Sequence, residues 1–191
     1  MRLAVFAYGS LVSAESAGRT LGRPVEPGPR ARLAGWERGW TLSRDNLASE
    51  KTFALPGGAL PAHCLGLNVL EGPGDGPNGA LIEVSGDELD RLALREVRYD
   101  RVEVSDAIRT ERPHGFERVF TFTAKAANLA PAPPPESVIL ASYVRAVEEA
   151  FDSLGPGELE LFRVTTGPHP VDVVEADLVR DRIPPGNPRE W

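Results

Sequence analysis

The stretch Phe6-Ala7-Tyr8-Gly9-Ser10-Leu11 continues directly from a short apolar run that starts at Leu3. The run predicts a buried strand over Leu3–Ala7, and the Gly-Ser pair predicts a tight turn at its end. Residues 11–21 have a composition that permits a helix, which Gly22 and Pro24 would end. Backbone N–H groups clustered at such a turn hold a carboxylate or another anion without a basic side chain. We therefore expect an anion-binding loop in this stretch.

A second segment, Ser85–Glu96, has the clearest helical pattern of the chain. Ser85 and Glu88 fit a capping box, and Leu89 and Leu92 follow on one apolar face. The helix is expected to end on Glu96, where the helix dipole is negative and a carboxylate is unfavourable. This cost modestly strengthens the case for a specific role, but without the turn at Tyr8 a solvated carboxylate is the better interpretation of Glu96. An anion-binding turn and one acid/base carboxylate would suffice for a small reaction site.

The remaining pattern predicts more strands than helices. Strands are expected over Arg32–Leu42, Thr52–Leu55, His63–Leu70, Ala80–Val84, Tyr99–Ile108 and Phe116–Ala124, the last two paired with each other. The longest helix is expected over Ser137–Leu154, with Ile139, Tyr143 and Val147 on its apolar face. Because helices interrupt the strands irregularly, we predict an α+β fold whose mixed or antiparallel sheet can close into a barrel. One domain is expected over residues 1–183, with a proline-rich tail over 184–191.

Composition narrows the class of protein. The chain has 191 residues, 41% of them hydrophobic and 26% charged, which is typical of one soluble domain. A net charge of −7 argues against nucleic-acid binding, which needs a basic face. No signal peptide or membrane-spanning stretch is evident, and the single cysteine, Cys64, excludes an internal disulfide. A cytoplasmic protein is expected, with Cys64 more often a small buried hydrophobe than a reactive thiol.

Other motifs are weaker. The segment Gly74–Gly79 matches the letters G-x-G-x-x-G, but prolines flank it and a strand follows, so a hairpin loop is the better interpretation. His63, His114 and His169 are scattered and have no metal-site spacing. Ser10 does not lie in a G-x-S-x-G elbow, although a Ser-based amide hydrolase stays open on residue types alone.

Taken together, these segments resemble the γ-glutamylcyclotransferase superfamily, including its AIG2-like branch. The resemblance is carried by the loop Phe6–Leu11, by the strand and helix from Gly79 to Glu96 that lead to Tyr99, and by Tyr143. Their order and spacing match the family from residue 3 to about residue 155. The chain departs from the family at Ala93, where an Asp is common, and at Leu11, where the loop often has Asn.

The resemblance implies a small mixed β-barrel flanked by helices and a lyase or acyl-transfer reaction. The α-amine of a γ-glutamyl amide would attack its own γ-carbonyl, giving 5-oxoproline and a free amine or amino acid. By the resemblance, Glu96 is the catalytic acid/base, whereas Tyr8, Gly9, Ser10, Leu11 and Tyr143 bind the substrate. No cofactor and no metal are expected, because the nucleophile is intramolecular.

Two other functions stay open. One is a catalytically silent member of the fold that binds a small metabolite or a partner protein, and the other is the Ser10 hydrolase. The expected partner is a small γ-glutamyl substrate, glutathione included, with no nucleic acid and no membrane. Whether the chain forms a homodimer is not indicated by the sequence.

Overall fold

The computed structural model describes residues 1–26 and 28–188 of the chain. Its strands are, in chain order, β1 (Leu3–Ala7), β2 (Arg30–Leu33), β3 (Trp36–Asp45), β4 (Lys51–Ala54), β5 (His63–Glu71), β6 (Asn78–Val84), β7 (Tyr99–Glu103), β8 (Ile108–Arg109), β9 (Arg118–Ala124), β10 (Ser137–Leu140), β11 (Val173–Val174) and β12 (Asp177–Asp181). Its α-helices are α1 (Ala14–Leu21), α2 (Gly86–Arg95), α3 (Ala141–Leu154) and α4 (Glu158–Val164), and single 3₁₀ turns lie at Ser10–Val12 and Ser105–Ala107.

The strands form three sheets. The largest has the order β7-β9-β1-β6-β2-β8, the second β11-β10-β5-β3, and the third pairs β12 with β4. Strand β1 lies inside the largest sheet, parallel to β9 and antiparallel to β6, and all five of its residues are buried. The mixed sheet curls into a half-barrel that helices flank. The predicted α+β class is therefore confirmed.

Helix α2 begins as the sequence predicted. The Ser85 hydroxyl accepts from the backbone N–H of Glu88 at 3.2 Å, and the Glu88 carboxylate accepts from the backbone N–H of Ser85 at 2.8 Å. This capping box satisfies donors that a helix start leaves unpaired. Leu89 and Leu92 are buried on the expected apolar face. The cap therefore fixes where α2 starts. The length of the helix then determines the position of Glu96 at its C-terminal end.

The longest helix starts later than predicted. Residues Ser137–Leu140 form strand β10, which lies between β5 and β11 and runs parallel to both. Ile139, predicted on a helix face, is fully buried in this strand. Val138 and Ile139 are β-branched and fit a strand that has a partner on each side. Helix α3 begins only at Ala141, so Tyr143 lies in its first turn.

Two other predicted elements are wrong in their connections. The expected strand Arg32–Leu42 is split at Gly35, whose φ of +77° suits a glycine turn, so that β2 joins the largest sheet and β3 the second. The loop over residues 72–77 is not a hairpin, because β5 and β6 belong to different sheets. The turn residues were identified correctly, but local sequence did not show which sheet each strand would join.

The expected pairing of the two later strands is confirmed in part. Strand β7 pairs antiparallel with β9 from Tyr99 opposite Ala124 to Glu103 opposite Phe120. Beyond Glu103 the predicted strand gives way to the 3₁₀ turn Ser105–Ala107. This arrangement places Tyr99 at the start of β7, three residues after Glu96.

The predicted proline-rich tail is described only in part. Residues 184–188 contain neither helix nor strand, and residues 189–191 of the predicted tail lie outside the described residues. Within the described parts of the chain, none of the helices has the length and apolar character needed to cross a membrane.

Candidate active site

A cavity of about 600 Å³ opens between the helices and the second sheet. Residues from α1, the end of α2, α3 and strands β3 to β5 line it. Among the predicted site residues, Ser10, Glu96 and Tyr143 line the cavity, and so do Arg95 and Tyr99. Residues far apart in the sequence are therefore brought to one concave site, which is the usual setting for a small ligand.

Glu96 occupies the carboxyl end of α2. Its backbone N–H donates to the Leu92 carbonyl at 2.8 Å, and its own carbonyl accepts from the Tyr99 N–H at 2.8 Å. With φ −84° and ψ 44° the residue leaves the helical conformation. Its side chain is 17% exposed and lies on the cavity wall, with Oε1 3.1 Å from Nε of Arg95. The backbone on both sides of the carboxylate is thus fixed by hydrogen bonds.

The surroundings of Glu96 act on its protonation in opposite directions. Burial raises the pKa of the Glu96 carboxyl above its usual range, while the positive charges and hydrogen bond of Arg95, and then Arg98, lower it. Burial is the larger effect, because removal from water disfavours the charged form. A carboxyl whose pKa is raised in this way is a better proton acceptor than an exposed one.

Arg95 connects this carboxylate to helix α1. Its guanidinium donates to the Ser16 carbonyl at 2.9 Å, to the Thr20 hydroxyl at 2.6 Å and to the Ser10 hydroxyl at 3.3 Å. The side chain is only 3% exposed. Arg95 therefore ties Glu96 to the turn that follows β1, and it orients the carboxylate through its Nε.

Two tyrosines meet the backbone of Leu67 in strand β5. The Tyr99 hydroxyl donates to the Leu67 carbonyl at 2.7 Å. Burial, and next the charge of Glu96, raise the pKa of the Tyr143 hydroxyl. A hydrogen bond with the Leu67 backbone has the smaller, opposite effect of lowering that pKa. A Cβ placed on Gly9 would lie 3.5 Å from the Tyr143 hydroxyl oxygen, so Gly9 and Tyr143 approach each other closely. Burial likewise raises the pKa of the Tyr99 hydroxyl, so both hydroxyls stay protonated. The Tyr99 hydroxyl gives its proton to the Leu67 carbonyl, whereas the Tyr143 hydroxyl can donate to a ligand.

The loop from Tyr8 to Leu11 has a mixed relation to the cavity. Tyr8 is buried and its hydroxyl donates to the Phe122 carbonyl at 2.6 Å, so this side chain anchors the loop. Leu11 is also buried, and neither Tyr8 nor Leu11 lines the cavity, whereas Ser10 does. In the described part of the chain, the backbone N–H groups of Gly9, Ser10 and Leu11 donate to no protein carbonyl. Gly9 does not line the cavity either, so binding of a carboxylate by these backbone groups stays a prediction.

A buried arginine, Arg38, supports the loop from beneath. It donates to the carbonyls of Tyr8 at 3.1 Å, Asn78 at 2.8 Å and Phe162 at 3.2 Å. Its guanidinium also lies 4.4 Å from the ring centroid of Phe162. Burial lowers the pKa of Arg38 to about 9. Arg38 therefore binds the end of β1, β6 and α4 together behind the site.

Sequence reasoning identified Glu96 and Tyr143 as site residues but did not assign roles to Arg95, Tyr99 or Arg38. A signal for Arg95 was available, since a cation next to an unfavourable helix-end carboxylate is a natural partner for it. Nothing in the local sequence indicated that Arg38 would be buried.

Comparison with known proteins gives structural likeness only. No family model matches the chain, and no curated protein matches it. A solved structure of a gamma-glutamyl cyclotransferase is 16% identical, with 92% of this chain and 95% of that one covered and a TM-score of 0.60. The uncharacterized protein loc79017 from Homo sapiens is 17% identical, with 91% and 94% covered and a TM-score of 0.60. YkqA from Bacillus subtilis is 20% identical, with 85% of this chain covered and a TM-score of 0.57.

The likenesses show that the chain has the γ-glutamylcyclotransferase fold, as the sequence resemblance implied. The chain spans about half of YkqA, of which 53% is covered.

Proposed function

We propose that the chain is a γ-glutamylcyclotransferase-like enzyme that cleaves a γ-glutamyl amide and releases 5-oxoproline. The observation that carries the proposal is Glu96, a carboxylate on the cavity wall whose pKa is raised by burial and whose Oε1 lies 3.1 Å from Arg95 Nε. A carboxylate at the negative end of a helix dipole lowers the stability of the helix. A role in proton transfer would explain why Glu96 occupies this unfavourable position. The fold shared with a gamma-glutamyl cyclotransferase supports the same reaction.

The proposed reaction forms one C–N bond and breaks another. The substrate's α-ammonium gives a proton to Glu96, and the resulting amine attacks the γ-carbonyl. As the amide C–N bond breaks, Glu96 protonates the leaving nitrogen. The attacking nitrogen then loses its second proton, which also ends on the released amine by way of Glu96. A single carboxylate therefore serves as base and acid in turn, and no other reactant is required.

Positioning supplies the rest of the rate. Because the nucleophile and the carbonyl belong to one molecule, holding the substrate folded gives a high effective molarity. The backbone N–H groups of Gly9, Ser10 and Leu11 are the proposed donors to the substrate's α-carboxylate. Tyr143, close to Gly9 and protonated, is proposed to donate to the same glutamyl group. A cytoplasmic location is also proposed, and glutathione is one of the γ-glutamyl compounds to be tested as a substrate.

The test is a comparison of Glu96→Gln with a matched control. Glu96→Gln keeps the shape of the side chain but cannot carry a proton, so kcat for 5-oxoproline release should fall about a hundredfold or more. Glu160→Gln is the control, because Glu160 is exposed on α4 and does not line the cavity. The measurement is mass spectrometry of 5-oxoproline over a panel of γ-glutamyl compounds. A folded Glu96→Gln variant with the wild-type rate would contradict the proposal.

One observation favours a second function, that of a silent binding protein. The ion pair with Arg95 lowers the pKa of Glu96 and so opposes its action as a base. A silent binder would retain γ-glutamyl compounds without releasing 5-oxoproline, which equilibrium binding and the product assay together distinguish from an enzyme.

A further inference from the structure

The cavity is much larger than a glutamyl group needs. Ligand cavities that hold drug-sized molecules span about 300 to 1,000 Å³, and this cavity has about 600 Å³. A glutamyl moiety bound between the Gly9 turn, Glu96 and Tyr143 would leave much of this volume for the group on the other side of the amide. The residues that line the rest of the cavity therefore indicate which amine can be accommodated as the second product.

One side of the cavity is apolar. We call it the apolar wall, and its residues come from β3, β4, β5, β10 and β12: Leu42, Phe53, Cys64, Leu65, Leu140 and Leu178. All but Phe53 and Leu178 are buried.

The apolar wall begins next to the reacting groups. A Cβ placed on Gly66 would lie 3.2 Å from Leu42 Cδ2 and 3.9 Å from the Tyr99 hydroxyl. Tyr99 follows Glu96 by three residues, and the charge of Glu96 acts on the hydroxyl of Tyr99. A substituent on the leaving nitrogen, which lies near Glu96 when it is protonated, would thus contact apolar carbon atoms.

Two of the cations that line the cavity are held by carboxylates. Arg98 donates to both carboxylate oxygens of Glu50, at 3.0 and 2.7 Å. Lys51 is buried, and its Nζ lies 3.6 Å from Asp181 Oδ2. A carboxylate on the substrate would have to displace Glu50 or Asp181 to reach either cation.

The two other cations apart from Arg95 are also engaged. Arg44 donates to the Lys51 carbonyl at 2.8 Å, and its guanidinium lies 5.1 Å from the ring centroid of Phe53. Arg19 forms an ion pair with Glu15, four residues before it on α1. Glu149, exposed on α3 and also part of the lining, would repel a second carboxylate. Arg44 forms no ion pair among the described residues, but the Lys51 carbonyl and the Phe53 ring already hold its guanidinium. A carboxylate buried against the apolar wall without a cation beside it is costly, so the apolar wall favours a substituent that carries none.

We propose that the amine released by this enzyme carries an uncharged alkyl or aryl substituent and no α-carboxylate. The inference rests on the proposed function, since it concerns the second product of that reaction. It assigns γ-glutamyl derivatives of apolar amines as the substrate class and places γ-glutamyl amino acids and glutathione among the poor substrates. The apolar substituent would lie on the apolar wall, where its burial is favourable.

A matched pair of substrates tests the inference. γ-Glutamyl-butylamide and γ-glutamyl-norvaline differ only by the carboxylate on the leaving amine, and glutathione serves as a third substrate. We expect kcat/KM for 5-oxoproline release to be about tenfold or more higher for the butylamide than for the norvaline compound. A ratio near one or below, with 5-oxoproline formed, would overturn the inference and leave the proposed function standing. Absence of 5-oxoproline from all three substrates, with a folded protein, would overturn both.

A pair of variants tests the apolar wall itself. Leu178 and Val179 are neighbours on β12 and are both about half exposed, at 48% and 57%, but only Leu178 lines the cavity. Leu178→Lys adds a cation that no carboxylate holds, so the ratio of butylamide to norvaline turnover should fall at least threefold. Val179→Lys is the control and should leave the ratio unchanged. An unchanged ratio in Leu178→Lys, or an equal fall in both variants, would overturn the assignment of the apolar wall.

Discussion

Replacing Arg95 with Met tests how Glu96 is positioned, because the change keeps an unbranched aliphatic side chain and removes the guanidinium with its charge. The guanidinium donates to Ser10, Ser16 and Thr20 and pairs with Glu96. Loss of one partner of a buried ion pair costs about 3–5 kcal/mol. In a domain of this size that corresponds to a fall in melting temperature of roughly 6–20 °C.

The variant should also change the pH dependence of the reaction. Arg95 lowers the pKa of Glu96, so without Arg95 burial raises that pKa further. A protonated Glu96 cannot accept the substrate's proton, and activity falls as the pH drops through its pKa. The acid limb of kcat/KM against pH should therefore move to higher pH in Arg95→Met.

Arg91→Met is the control for this experiment. Arg91 lies one turn earlier on α2 and also donates to helix α1, at the Thr20 carbonyl, but it does not line the cavity. We expect a loss of about 1 kcal/mol and an unmoved acid limb. If the limb stayed in place in Arg95→Met, or moved to lower pH, the account of how Arg95 acts on Glu96 would be refuted.

Three further changes address the supporting residues. Tyr143→Phe removes one hydroxyl next to Gly9 and should weaken catalysis by about 1–2 kcal/mol with little change in melting temperature; a large fall in melting temperature with unchanged kinetics would instead make Tyr143 a packing residue. Gly9→Val should raise KM strongly, because its methyl groups would crowd the Tyr143 hydroxyl, 3.5 Å from the position of a Cβ; a 5-oxoproline-soaked crystal with the ligand elsewhere would contradict this. Arg38→Met leaves the Tyr8, Asn78 and Phe162 carbonyls without their donor and should lower the free energy of unfolding in denaturant by about 3 kcal/mol or more. Arg38→Lys should not restore this stability, because a single ammonium cannot replace the planar guanidinium. Restoration by Lys would contradict the role of Arg38 as the shared donor to these carbonyls.

Local signals in the sequence predicted the parts of the fold that depend on local chemistry. The capping box at Ser85 and Glu88 fixed the start of α2, and the run Leu3–Ala7 predicted the buried strand β1. The placement of Glu96 at the end of that helix followed from the same pattern. The catalytic role of Glu96, however, was implied by the family resemblance and not by the capping box.

Features that depend on distant partners were not predictable in this way. Ser137–Leu140 became a strand because β5 and β11 lie on either side of it, and the apolar periodicity of the following helix concealed the boundary. Arg38 is buried because carbonyls from three separate segments converge on it. Arg95 reaches α1 across more than seventy residues of sequence, which no spacing rule indicates.

The most direct test of the central claim is the fate of solvent oxygen in the reaction. In water enriched in ¹⁸O, intramolecular attack by the α-amine yields 5-oxoproline whose oxygens all come from the substrate. The cyclotransferase mechanism predicts unlabelled 5-oxoproline together with one equivalent of free amine, both detected by mass spectrometry. Glutamate carrying one ¹⁸O atom in its place would show hydrolysis by water, and would contradict the cyclotransferase mechanism.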